Sequence, residues 1–206
     1  MNKKLLILLL SCAALFPAAC DANKTAKNTA ASAEVKKGVK PVADNEVAVI
    51  EMEQPAYGTI KLELYSNVAP KMVERFKQLA REGVYSGTTF HRINDSVIQG
   101  GDPLSKDSDP ANDGTGNSDK PNVPAEFSDI PYEVGTLGAA RTADPNTANA
   151  QFFITIKRQP AFDNKYTVFG KVIEGMNNAS IIAGVPKDGE RPLEKVVIKS
   201  ITIQPK

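Results

Sequence analysis

Tryptophan is absent from the 206-residue chain, histidine occurs once and cysteine twice. Each shortage removes a class of chemistry. Cys12 and Cys20 both lie within the first twenty residues, so the rest of the chain has no disulfide and no cysteine to offer a metal. A single histidine, His91, is too few for a zinc site of the His or Cys type. It also argues against a Ser-His-Asp hydrolase, as does the lack of a Gly-x-Ser-x-Gly elbow. No phosphate loop or dinucleotide fingerprint is present, because Gly114-Thr115-Gly116 stands without the further glycine such motifs need. Asp107, Asp109 and Asp113-Gly114 imitate a calcium loop, but Ala111 and Asn112 fill its fifth position and the place of its glycine. Neither a metal nor a cofactor is expected.

A dominant charge is lacking too. The chain carries 25 basic and 24 acidic residues. Nothing in that balance calls for nucleic acid or an acidic lipid surface as a partner.

What is present begins with an address. Lys3 and Lys4 precede an apolar stretch from Leu5 to Leu10 and small residues from Ala13 to Ala19, which reads as an export signal over residues 1–19. The apolar stretch is too short for a spanning helix. Pro17-Ala18-Ala19-Cys20 resembles the lipobox of bacterial lipoproteins, with Pro where Leu is usual. Cys20 is then the expected lipid attachment point, and the lipid the only contact with a membrane. Ordinary cleavage near Ala19 or Ala22, leaving a soluble periplasmic protein, is the open alternative. Residues 20–44 are rich in Ala, Lys, Asn, Ser and Thr, the composition of a flexible tether. One domain, residues 45–206, is expected to follow.

That domain starts with a hairpin. Val47, Val49 and Glu51 alternate with other residues, a turn falls at Pro55 to Gly58, and Ile60, Leu62 and Leu64 supply an inward face. From Pro70 to Arg81 the period changes to that of a helix, with Val73, Phe76, Leu79 and Ala80 as its apolar stripe and Gly83 as its stop. Residues 104–127 read as a loop. Strands are predicted over Gly135–Ala140, Gln151–Ile156, Tyr166–Ile173 and Leu193–Ile203, and a short helix over Gly175–Ala183. Many strands and few helices suggest a barrel or a sandwich, and a barrel with helix-covered ends fits best.

The stretch Thr88 to Pro103 places Arg92 and Gln99 among apolar residues. An arginine in such company is paired or functional, because burying it alone is costly. His91, next in a strand, points away from Arg92 and reads as structural.

Phe90-His91-Arg92, Gln99-Gly100-Gly101-Asp102, Gln151-Phe152-Phe153-Ile154 and Val168-Phe169-Gly170-Lys171-Val172 are similar, in order and rough spacing, to blocks of the cyclophilin family of peptidyl-prolyl cis-trans isomerases. The resemblance spans residues 45–204. It implies a mainly β fold, a closed eight-stranded antiparallel β-barrel capped by two α-helices, with the site on the outer face. It implies Arg92 as the catalytic arginine and Gln99 as the amide beside it. Phe153 matches the base of the proline pocket, Gln151 a substrate-contacting glutamine, and Phe162 an apolar wall residue. Ala140 and Arg141 fall where backbone pairs with a bound peptide, and Tyr166 where many members have His. Val97 replaces a frequent Met, and Ser96 falls where Phe is usual. Ala161 stands where cyclosporin-sensitive members have Trp.

The implied activity is acceleration of Xaa-Pro bond rotation in exported proteins, without cofactor, by a monomer whose partners are proline-containing segments of unfolded or folding chains. The alternative is a tethered module that binds such segments, or chaperones them, without catalysis. A host-facing surface lipoprotein using this fold as a scaffold is a third reading.

Overall fold

The computed structural model describes residues 34–206. Its strands are β1 Glu46–Met52, β2 Thr59–Leu64, β3 Arg92–Ile93, β4 Val97–Gly100, β5 Thr136–Ala139, β6 Phe152–Thr155, β7 Val168–Glu174, β8 Lys187–Asp188, β9 Arg191–Pro192 and β10 Ile198–Pro205. The helices are α1 Pro70–Arg81 and α2 Met176–Ala183. Eight strands form one antiparallel sheet in the order β10-β1-β2-β7-β5-β6-β4-β3, and β8 with β9 forms a separate ribbon. The sheet curls but is not the closed barrel the family resemblance implied. Its ends, β10 and β3, are not laddered to each other. They approach where the chain leads into them: Phe90 N–H, before β3, donates to Val196 O (2.9 Å), and Ile198 N–H, at the first residue of β10, donates to Thr88 O (2.7 Å).

Register explains how the two faces divide. Ile93, Ile98, Ile154, Leu137 and Gly170 are successive cross-strand partners over β3, β4, β6, β5 and β7. The four with side chains are fully buried in the main core. The neighbouring rung is Arg92, Gln99, Phe153, Gly138 and Val168. Directly paired residues share a face, and one step along β3, β4, β6 and β5 changes face, so this rung points the other way; on β7 the two-residue step from Gly170 to Val168 is taken up by a shift of register opposite Leu137 and Gly138. Arg92 and Phe153, distant in sequence, thereby share one surface.

That second surface has an apolar cluster of its own, built from Tyr65, Val68, Val97, Tyr132, Phe153 and Val168. Val39 and Ala43 pack against it from the N-terminal side. Lys36 Nζ donates to Val68 O (2.7 Å), and Asp44 accepts from Ser66 and Lys77. Residues 36–44 are therefore held along the domain, where composition alone predicted free tether. Residues 1–33, with the expected signal and Cys20, lie outside the described residues.

Helix α1 forms as its periodicity predicts. Pro70 occupies its first turn, and Met72, Val73, Phe76, Leu79 and Ala80 are buried. Gly83, at φ +71°, ends it: Gly83 N–H bonds Ala80 O and Val84 N–H bonds Leu79 O, a Schellman closure. Ala69, just before the helix, has no side chain to cap it. The buried carboxylate of Glu126 does so instead, accepting from Lys71 N–H (3.3 Å) and Met72 N–H (3.0 Å).

In β1 the expected alternation of Val47, Val49 and Glu51 holds only at its start. Val47 is fully buried, but so are Ala48 and Ile50, with Met52 buried beyond them, while Val49 is half-buried and Glu51 exposed. Apolar residues at Val47, Ala48, Val49 and Ile50 leave the period of two ambiguous, and pairing with β2 and β10 resolves it.

Candidate active site

Strand β3 is two residues long, and it carries Arg92 at the edge of the sheet. The Arg92 side chain is 46% exposed, while His91 beside it is 7% exposed. Burial lowers the His91 imidazole below its ordinary value. Both of its ring nitrogens lack a hydrogen-bond partner among the described residues.

Arg92 is both paired and placed at a pocket. Its Nη1 donates to Gln99 Oε1 (3.2 Å), its Nε to Glu190 Oε2 (2.5 Å) and its Nη2 to Glu190 Oε1 (3.3 Å). A guanidinium has five N–H groups. One on each terminal nitrogen is left without a protein acceptor among the described residues.

A cavity of about 70 Å³ opens beside this guanidinium. Arg92, Val97, Gln99 and Phe153 line it from β3, β4 and β6, and Ala140, Arg141, Phe162 and Tyr166 from the flanking loops. Eight of the nine substrate and catalytic residues predicted from the sequence thus meet at one place. Phe153 is its floor. Phe162 and Tyr166 stand edge-on to that ring, at centroid distances of 5.6 and 5.7 Å. The Arg141 guanidinium lies 4.4 Å above the Tyr166 ring and donates to Lys165 O (2.8 Å). A cation over an aromatic face holds that wall upright.

Gln151, the ninth, borders an adjoining cavity of about 310 Å³ that shares Gln99, Ala140 and Arg141. Its side-chain amide faces the protein and bonds the carbonyls of Gly114 and Gly116. The main-chain N–H of Ala140 is likewise spent, on Gln151 O (3.0 Å).

Several contributors escaped the sequence reading. Tyr132 is fully buried and stacks behind Phe153 at 5.6 Å, with burial raising its phenol well above the ordinary value. Asp102, also fully buried, accepts from the N–H groups of Leu104, Gly114 and Gly116 and so shapes the loop beneath Gln151. Asn94 closes the bend between β3 and β4 by accepting from Ser96 N–H and Val97 N–H. Glu190 arrives from the turn of the β8–β9 ribbon, which periodicity did not reveal. Its sequence surroundings read as a solvated charged turn, and only the Gly189-Glu190 pair hints at a reversal.

Comparison with known proteins agrees with this geometry. The family described as "Cyclophilin type peptidyl-prolyl cis-trans isomerase/CLD" matches residues 48–203. A probable peptidyl-prolyl cis-trans isomerase of Brucella suis biovar 1 is 46% identical over 125 residues, 58% of this chain and 64% of the relative. The match therefore spans less than two thirds of that protein. The peptidyl-prolyl cis-trans isomerase ppi1 of Schizosaccharomyces pombe is 36% identical over 158 residues, covering 73% of this chain and 96% of its own. Among solved structures, the Cryptosporidium parvum cyclophilin-type isomerase determined in the presence of the dipeptide Ala-Pro superposes with a TM-score of 0.69. It is 30% identical and is covered over 99% of its length, against 78% of this chain. The rung that carries Arg92, Gln99 and Phe153 lies inside the matched residues, and the chain belongs to the cyclophilin-type peptidyl-prolyl cis-trans isomerase family.

Proposed function

We propose that this protein is a peptidyl-prolyl cis-trans isomerase acting on proline-containing segments, with Arg92 as its catalytic residue. One observation carries the reading: a held guanidinium keeps two N–H groups unspent beside an aromatic-floored cavity. An Xaa-Pro amide turns slowly because conjugation gives its C–N bond double-bond character, with a barrier of about 18–20 kcal/mol. Twisting removes the conjugation and leaves a lone pair on the proline nitrogen. A permanently charged donor aimed at that lone pair stabilises the twisted form more than either planar isomer. Phe153, Val97 and Phe162 grip the ring while the preceding carbonyl swings. Each 1.4 kcal/mol removed from the barrier gives about tenfold in rate, so a contact made only in the twisted form is enough to matter. The Ala-Pro dipeptide of the Cryptosporidium relative supports the choice of ligand.

The test is isomerisation of an Ala-Pro peptide by wild type and Arg92→Ala. The variant is expected to lose about 100-fold in kcat/KM while melting at the wild-type temperature. Equal rates overturn the assignment.

We also propose that the chain is exported and lipid-modified at Cys20, where it would assist folding outside the cytoplasm. The basic, apolar and small-residue succession of residues 1–19 and the Cys20 junction support this. Radiolabelled palmitate should enter wild type and not Cys20→Ser. Label in neither favours the soluble periplasmic form.

A further inference from the structure

The β8–β9 ribbon stands outside the eight-stranded sheet, yet it reaches Arg92 from 98 residues away. Main chain fixes it there first: Ile93 N–H donates to the carbonyl of Glu190 (2.7 Å). The Glu190 carboxylate then takes the Nε side of the guanidinium through both oxygens, at 2.5 and 3.3 Å. Gln99 takes the opposite side at Nη1 (3.2 Å). A planar fork held on two sides can neither spin about its last bonds nor tilt. Without Glu190, a single long hydrogen bond would hold a side chain that is 46% exposed.

The carboxylate is itself located. Asn94 Nδ2 donates to Glu190 Oε1 (2.6 Å), while Asn94 Oδ1 accepts from Ser96 N–H and Val97 N–H. The start of β4, which supplies the pocket residue Val97, is thereby linked to the guanidinium through Glu190. The Arg92 guanidinium, and after it the Asn94 amide, keep the Glu190 carboxyl below the usual carboxylate range, so the link is charged at neutral pH.

Resting on the isomerase reading of Arg92, we propose that Glu190 is a positioning residue that aims the two unspent Arg92 N–H groups at the twisted amide. Two effects oppose each other when it is removed. The guanidinium loses its orientation, and it also loses a neighbouring negative charge that weakens its field. Both groups are about half exposed, where water and salt screen the field, whereas misdirection of a reacting group is not screened. Orientation wins.

The experiment measures kcat and KM on an Ala-Pro peptide for wild type, Glu190→Ala, Glu190→Gln and Arg92→Ala, with the ¹⁵N NMR signal of the Arg92 Nε–H alongside. Glu190→Ala should lower kcat by about tenfold with KM within about twofold, as expected of lost orientation. Glu190→Gln keeps one acceptor oxygen without the charge, and its kcat should fall between the two. The Nε–H signal should move upfield and broaden in Glu190→Ala. A kcat for Glu190→Ala equal to or above wild type overturns the proposal, as does an unmoved Nε–H signal. Wild type no faster than Arg92→Ala is the distinct result that overturns the isomerase reading, and with it any catalytic use of the clamp.

Discussion

The side-chain amide of Gln99 donates to Oε1 of Gln151 at 3.0 Å, and this contact decides which way Gln99 faces. Gln151 has no freedom to turn, because its own Nε2 donates to the carbonyls of Gly114 (3.0 Å) and Gly116 (2.9 Å). An amide has one accepting and one donating end. With the Gln99 nitrogen committed to Gln151, its oxygen is presented to Arg92. The direction of every amide in the row is set at the loop and transmitted to the guanidinium.

Gln151→Glu should therefore damage catalysis although it preserves size. A carboxylate cannot donate to two carbonyls, and unsatisfied buried groups are costly. The expected result is a fall of about tenfold or more in kcat/KM, with Arg92 intact, measured on the Ala-Pro peptide.

Gly138 is the rung partner of Phe153, and the ring lies across it. A Cβ there would overlap Phe153 Cζ and come 2.8 Å from the Tyr132 hydroxyl. Tyr132 stacks behind Phe153, so the ring cannot retreat. Gly138→Ala should cost about 1–3 kcal/mol of stability in guanidinium unfolding, the usual range for overpacking. Adding Phe153→Leu should recover part of the stability, since neighbours in contact couple.

The Glu126 cap offers a test of α1. Replacing Glu126 by Ala leaves the Lys71 and Met72 N–H groups without their acceptor and should cost about 1–2 kcal/mol, as for other lost caps. Glu126→Gln keeps one acceptor oxygen, and its denaturation midpoint should lie between wild type and Glu126→Ala.

His91 makes stability depend on pH. Burial lowers its folded-state value below the ordinary 6.5, against the raising influence of Asp102 and Asp113. The unfolded chain therefore takes up this proton first as pH falls. Stability is complete above about 6.5 and declines below it until the folded form also protonates, by at most about 1.4 kcal/mol per pH unit. Denaturant midpoints at pH 7.5 and 5.5 should separate in wild type, and much less in His91→Gln. With no other histidine in the chain, the comparison isolates one group.

Much of this was legible in the sequence because the physics is local or repeated. The stripe Val73, Phe76, Leu79, Ala80 between Pro70 and Gly83 fixes α1 by its period and its ends. The blocks around Arg92, Gln99 and Phe153 were recognisable together, and their register makes them neighbours. What escaped has no periodic signature. Tyr132 lies outside any strand, Asp102 works through a loop, and Glu190 sits in an exposed turn. Their roles arise only when the chain closes on itself over long separations. The alternation expected in β1 broke down for a different reason, since four consecutive apolar residues, Val47 to Ile50, carry no usable period of two.

The break between β3 and β10 has a consequence for how this site can vary. A strand paired on one side only keeps an outward N–H, and at Ile93 that group donates to the Glu190 carbonyl. The segment joining α2 to β10 is thus plugged into the sheet's margin without belonging to its ladder. The bond that holds it there runs from main chain to main chain, so it does not depend on which side chain stands at position 190. The carboxylate beside Arg92 is in this sense an attachment, mounted on a frame whose ladder does not include it.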